Sequence, residues 1–211
     1  CLIENKILKD EIKYHFKKTK KISLKRINII ENIVKNIKNK TNIISTTGFT
    51  SRELMELQKN NKKSKYNSFY MVGGMGHSAA VSLGVSVGSK KNIICFDGDG
   101  SLLMHLGSMA TIGFFGRKNF KHILFNNNSH ESVGGQTTNA RNVNFEKISK
   151  GLGYKKYFLI DNKKKNSQKI KFFLNSQGPA FLEIMIDQGS VNDLMRPKDL
   201  IEIKKKFMKK V

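Results

Sequence analysis

The stretch "CFDGDGSLLMHLGSMATIGFFGRKNFKHILFNNNSHESVGGQ", from Cys95 to Gln136, decides the fold. An apolar strand runs into Asp99, which is held between Gly98 and Gly100. A long apolar segment of helical character follows, "SLLMHLGSMATIGFF", and then a second apolar strand that ends in Asn126, Asn127 and Asn128. Strand, helix, strand in that order is the repeating unit of a parallel sheet. The carboxylate and the carboxamide stand at two strand tips among residues too small to fill a pocket, which leaves space for a ligand.

Working outward, the same alternation continues in both directions. The apolar residues Ile27, Ile30, Ile33, Val34 and Ile37 recur at helical spacing between Leu24 and Ile37. "NIIST" (42–46) reads as a strand entering the turn "TTGFTS", and "SRELMELQK" (51–59) carries the Ser and Glu of a helix start. Residues 69–88 read as strand, glycine loop and a helix of small residues. Downstream lie a short helix at 145–152, the strand "YFLI", the helix "NSQKIKFFLNS", the strand "PAFLEIMID" and a last amphipathic helix from Pro197 to Met208. The expected fold is α/β: three layers, a mostly parallel sheet with helices on both faces, occupying residues 24–211. Residues 1–23 read as a linker or the tail of a preceding domain. In such sheets ligands bind at the carboxyl ends of the strands, near a switch in strand order. The loops "TTGFTS", "VGGMGH", "DGDGS" and "NNNSHES" all follow strands and are expected to converge on one edge.

Composition narrows the partners. The chain has 211 residues and a formal charge of +23, with 39 Lys and Arg together. Only five of these are arginine and tryptophan is absent, so the forks and aromatic platforms that read nucleic acid are scarce. The lysine runs (17–18, 62–63, 163–165, 204–206) fall at chain ends or between apolar segments and read as solvated surface, able to draw in an anionic substrate. No nucleic acid and no membrane is expected as partner, and the expected location is cytoplasmic. Cys1 and Cys95 offer no disulfide framework, and Cys95 reads as a small core residue.

Asp99 stands just before Ser101, which opens a helix whose N–H groups favour an anion. A carboxylate beside an anion site requires a cation between them, and magnesium, which shares its shell with phosphate oxygens, meets that need. Asn127 can add a neutral oxygen, and the backbone carbonyl of Ser129 a third. Either half alone reads equally well as a surface turn or as a drift of composition toward asparagine; the pairing of the two after apolar strands favours a hard-cation site.

These residues carry a resemblance. Gly98-Asp99-Gly100-Ser101 followed by Asn126-Asn127 resembles the signature of thiamine diphosphate-dependent enzymes, and "VGGMGHSAAVSLG" resembles their pyrimidine-contact loop. "STTGFTSREL", "MVGGMGHS" and "NNNSHESVGGQ" narrow it to the decarboxylases of phosphonopyruvate and, as near relative, the sulfopyruvate decarboxylase β subunit. The resemblance covers Arg26 to Asp187, and one departure is that Asn127 lies one residue further from Asp99 than in several relatives. It implies thiamine diphosphate and Mg2+ as cofactors. Asp99 and Asn127 would bind the metal by side chain and Ser129 by its carbonyl. Gly48, Phe49, Thr50, Gly98, Gly100 and Ser101 would lie against the diphosphate. Gly73 would accept from the pyrimidine amino group, with Gly74 and His77 beside it and Met75 as the wedge beneath the cofactor. His130 is the candidate for proton transfer, while Ser132 and Gln136 either contact substrate or shape the loop. The implied reaction is decarboxylation of an anionic 2-oxo acid, phosphonopyruvate first. Sulfopyruvate decarboxylation, acetolactate-synthase-like carboligation and a basic non-catalytic module are the alternatives. The family's activating glutamate comes from a pyrimidine-binding domain that this sequence does not show. That domain is expected as a preceding segment or as a separate subunit of a homo- or hetero-oligomer.

Overall fold

In the computed structural model, residues 23–38, 40–61 and 65–211 are described. The expected linker at 1–23 and the lysine runs at 17–18 and 62–63 lie outside them, apart from Ser23. The order along the chain is α1 (Arg26–Asn36), β1 (Thr41–Ser45), α2 (Phe49–Lys59), β2 (Tyr66–Tyr70), α3 (Ser78–Gly88) and β3 (Asn92–Gly98). It continues with α4 (Asp99–Met104), α5 (Ser108–Phe115), β4 (Phe120–Asn126), α6 (Phe145–Gly151), β5 (Lys156–Ile160), α7 (Asn166–Asn175), β6 (Ala180–Met185) and α8 (Leu200–Met208). The six strands form one sheet in the order β2-β1-β3-β4-β6-β5, and every pair is parallel.

Side chains along the central strands alternate between two cores, as the period of two in a strand requires. Ile43, Ile94, Phe96, Ile123, Phe125, Leu182 and Ile184 face one core, which α1, α2 and α7 cover with Ile30, Leu54 and Phe173. Ile44, Ile93, Cys95, Phe120, Leu124 and Phe181 face the other, covered by α3, α5, α6 and α8 through Leu83, Ile112, Phe145 and Phe207. Burial on both faces is why these strands read as continuous apolar runs. Each fully buried Phe or Ile contributes about 1.5–3 kcal/mol. Gly113 of α5 lets the helix meet the backbone of the α6–β5 turn, since a Cβ there would fall 1.5 Å from the Leu152 carbonyl oxygen.

The helix after β1 therefore lies on one face and the helices after β3 on the other. The carboxyl ends of β1 and β3, neighbours in the sheet, form the switch point at which such folds bind ligands.

Three expectations need correction. The segment 101–115 is not one helix: His105 leaves helical dihedrals (φ −135°, ψ 45°) and stacks on His77, with ring centroids 4.2 Å apart. The start of α2 is Phe49, not the Ser51 region; Ser51 Oγ instead donates to the carbonyls of Ser45 and Thr46 (3.2 and 2.6 Å), and Glu53 is buried in an ion pair. The last helix begins at Leu200, three residues beyond Pro197, because Asp199 takes a left-handed conformation (φ 39°).

Candidate functional site

A cleft open to solvent lies at the switch point. From the β1 end come Thr46, Thr47, Phe49 and Thr50; from the β3 end Gly98, Asp99, Gly100 and Ser101; from the β4 end Asn127, Ser129, His130, Glu131, Ser132 and Val133. Met75 reaches it from the glycine loop and Arg26 from α1. One hydroxyl ties three of these loops together. Ser101 Oγ accepts from the Gly76 N–H (3.0 Å) and shares a hydrogen bond with Thr46 Oγ1 (2.7 Å).

Gly48 caps α2 with φ +102°, a conformation L side chains rarely adopt, and a Cβ there would fall 2.9 Å from Ser132 Oγ. No side chain caps α2, so its first amide N–H groups are free for an anion. The six-residue α4 is too short for much of a macrodipole, so α2 is the stronger anion-binding helix start of the two. Gly98 has open space where a Cβ would stand, and Gly100 is overlain by His130, whose Nδ1 would meet a Cβ at 2.4 Å.

Asp99 is 2% exposed, and burial raises its carboxyl above the ordinary range; the Thr138 hydroxyl and nearby backbone N–H groups pull it back. Asn127 Oδ1 accepts from the Ser129 N–H (3.1 Å), and its Nδ2 donates to Glu131 Oε2 (3.1 Å). Asn126 points away from the cleft: its Nδ2 donates to Glu183 Oε1 (2.8 Å), whose other oxygen accepts from Tyr157 (2.6 Å). Of the three asparagines, Asn127 is the one that lines the cleft.

The structure thus brings Gly98, Asp99, Gly100, Ser101, Phe49, Thr50, Met75, Asn127, Ser129, His130 and Ser132 into one cleft, with Gly48 behind it. Gly73, Gly74, His77 and Gln136 do not line it. Gly73 (φ +75°) and His77 are exposed on the neighbouring loop. The Gln136 carbonyl accepts from the His130 N–H (2.7 Å), a loop-shaping role.

Sequence reasoning missed an ion network behind the donors. Arg26, 5% exposed, donates through Nε to Glu53 Oε2 (3.0 Å) and through Nη1 to Glu131 Oε2 (3.1 Å). Burial raises the Glu53 carboxyl, and Arg26 works against that rise. Phe49 lies under two guanidinium groups, with Arg26 5.7 Å and Arg52 5.1 Å from its ring centroid. Burial, and the charge of Arg196, lower the pKa of Arg52. Pairings over such sequence separations leave no local signal.

The residues present fit a magnesium diphosphate. Carboxylate, carboxamide and carbonyl oxygens suit a hard cation, small residues leave the space, and free amides face it.

Fold and cleft define the class: a parallel α/β domain whose ligand cleft opens at the strand tips of a switch point. Within it the chain belongs to the thiamine pyrophosphate enzyme, C-terminal TPP binding domain family, whose model matches residues 46–184. The phosphonopyruvate decarboxylase of Streptomyces viridochromogenes is 35% identical over 173 residues, 82% of this chain and 42% of that protein. The sulfopyruvate decarboxylase subunit beta of Methanocaldococcus jannaschii is 40% identical over 130 residues, 61% of this chain and 66% of that subunit. The corresponding subunit of Methanothermobacter thermautotrophicus is 27% identical over 188 residues, 89% of this chain and 96% of that subunit. The chain thus spans about two fifths of the first relative and two thirds of the second. Among the described residues, no helix is long and apolar enough to cross a membrane.

Proposed function

We propose that this chain is the diphosphate- and magnesium-binding part of a thiamine diphosphate-dependent decarboxylase. Its substrate would be an anionic 2-oxo acid, and the products of phosphonopyruvate would be phosphonoacetaldehyde and carbon dioxide. The observation that carries the reading is the convergence of Asp99, Asn127 and Ser129 in one cleft with the free amides of α2. Thiamine diphosphate, when bound, supplies the carbanion chemistry and the electron sink. Asp99 and Asn127 hold the cation, and Ser101, fixed by Thr46 and Gly76, keeps the β1 and β3 loops at the spacing a diphosphate needs. His130, lying over Gly100 at the cleft wall, holds or moves a proton at its imidazole. Arg52, over the Phe49 ring and within reach of the charge of Arg196, adds positive charge suited to a second anionic group on the substrate.

The pyrimidine-binding unit would be a partner. Helices α3 and α5 are apolar all round, yet Val87, Phe114 (82% exposed) and Phe115 face solvent, with Met104 nearby in sequence. Apolar surface of this kind marks a face covered by another protein unit. The sulfopyruvate reading is favoured by one observation: the chain covers 96% of an archaeal β subunit, a protein that by its name works with another subunit.

The test is carbon dioxide release from phosphonopyruvate, sulfopyruvate and pyruvate, with Mg2+ and thiamine diphosphate, using this chain joined to or mixed with its pyrimidine-binding unit. Release from phosphonopyruvate alone supports the reading. Release from sulfopyruvate alone moves the substrate, and release from none of the three, with the unit present, removes the decarboxylase.

A further inference from the structure

A second cluster of chemistry-bearing side chains lies under the cleft, inside the core. Cys95 and Asp97 project from β3 and His122 from β4, and all three are 0% exposed. One ligand atom from each, sulfur, carboxylate oxygen and ring nitrogen, lies within 4.8 Å of the other two. The two strands place them there. Cys95 is paired in register with His122, and Asp97 points to the same face two residues on.

The hydrogen bonds around the cluster leave its inner atoms without partners. Asp97 Oδ1 accepts from the Gly98 N–H (3.0 Å), whereas Asp97 Oδ2 has no hydrogen-bond partner. His122 Nδ1 is 2.9 Å from the Tyr154 hydroxyl, whereas His122 Nε2 has none. These two orphan atoms face each other at 3.5 Å, too long for a good N–H···O bond. If Nδ1 carries the proton toward Tyr154, a nitrogen lone pair and a carboxylate oxygen confront each other in the buried core. Burying an unpaired carboxylate is costly. The Ser78 and Ser82 hydroxyls of α3 lie beside the Cys95 thiol, also buried and without partners of good geometry.

A metal ion would satisfy Asp97 Oδ2 and His122 Nε2 at once and take up one of the two serine hydroxyls. In a tetrahedral zinc shell the ligand bonds are about 2.0–2.3 Å, which sets neighbouring ligand atoms roughly 3.5 Å apart. The Asp97–His122 separation already has that value. Sulfur, imidazole and carboxylate are the ligand types zinc takes, and the thiolate excludes magnesium and calcium. Tyr154 on Nδ1 is the outer partner that metal-bound histidines use to fix ring and tautomer. Burial pushes the Cys95 thiol well above its ordinary range, and a coordinated cation is what reverses that penalty.

The geometry points to a buried zinc site formed by Cys95 Sγ, Asp97 Oδ2 and His122 Nε2, with a hydroxyl of Ser78 or Ser82 in the fourth position. With no open position it is structural, a staple between β3 and β4, whose tips carry Asp99 and Asn127. It is separate from the hard-cation cleft above and does not depend on the thiamine diphosphate reading.

The test uses the full chain with Cys1→Ser, so that Cys95 is the remaining thiol. After growth with zinc and dialysis against a weak chelator, elemental analysis is expected to find about one zinc per chain. Cobalt exchange is expected to give a cobalt–thiolate charge-transfer band that Cys95→Ala removes. X-ray absorption at the zinc edge, which needs no core substitution, is expected to show one sulfur at about 2.3 Å and nitrogen or oxygen at about 2.0–2.1 Å. Folded protein that holds no zinc and gives no band overturns the site. So does a zinc shell without sulfur, or a band that survives Cys95→Ala.

Discussion

The Asn127 carboxamide donates to Glu131 Oε2 at 3.1 Å, and the same oxygen accepts from Arg26 Nη1 at 3.1 Å. This clamp decides which end of the amide faces the cleft. With Nδ2 held by a carboxylate, the oxygen is the end left for the Ser129 N–H and for a cation. Outer-shell carboxylates of this kind commonly change metal affinity by about 10- to 100-fold. Glu131→Ala is therefore expected to weaken Mg2+ binding in the presence of thiamine diphosphate by about tenfold or more. Titration with Mn2+ as a paramagnetic substitute reads this directly, and unchanged affinity removes Glu131 from the metal site.

His130 covers Gly100 so closely that a methyl group there would collide with its ring. His130→Ala is expected to lower turnover about 100-fold, within the range for a lost acid or base, while cofactor affinity stays within a factor of two or so. Gly100→Ala is expected to reproduce part of that loss by displacing the ring. Steady-state kinetics beside calorimetric cofactor binding separates the two effects.

Arg52, with Arg196 near it, forms the unspent positive charge beside the cleft, since the charge of Arg26 is already met by Glu53 and Glu131. Arg52→Ala is expected to raise KM for phosphonopyruvate about tenfold, the scale of one charge-assisted contact, while leaving pyruvate nearly unaffected. An equal change for both acids would assign Arg52 to packing on Phe49.

Lys121 is a strand residue only 4% exposed, and burial, aided by Lys38, pushes its ammonium down to about 8. The unfolded chain holds that proton to about 10.4. Between these values the unfolded state binds more protons, so this residue makes stability rise with pH from about 8 toward 10. Below about 8 the buried charge costs of order 3 kcal/mol. Lys121→Met is expected to be more stable at pH 7 by about 1–3 kcal/mol, with the gap closing toward pH 10. Urea melts across that range check it; a constant gap contradicts the assignment.

How far the sequence could be read follows from the range of each interaction. β3 and β4 were legible because both faces of each are buried, which makes Ile93–Phe96 and Ile123–Phe125 continuous apolar runs. Asp99 and Asn127 were legible because small residues and a strand end surround each one locally. The break at His105 was not, since its ring meets that of His77, 28 positions earlier, and nothing local marks it. Nor was the Arg26–Glu131 pair, whose partners are 105 positions apart. Lys121 sits in a chain so rich in lysine that one buried member carries no compositional mark.

The central claim is that Asp99 and Asn127 hold a divalent cation on a diphosphate. Calorimetric titration of the chain with thiamine diphosphate, with Mg2+ and then with chelator, tests it most directly beside Asp99→Ala. The account predicts binding that requires Mg2+ and that Asp99→Ala weakens by about 100-fold or more, since loss of an outer-shell partner alone reaches that range. Binding of equal strength with and without Mg2+, unchanged in Asp99→Ala, would contradict it.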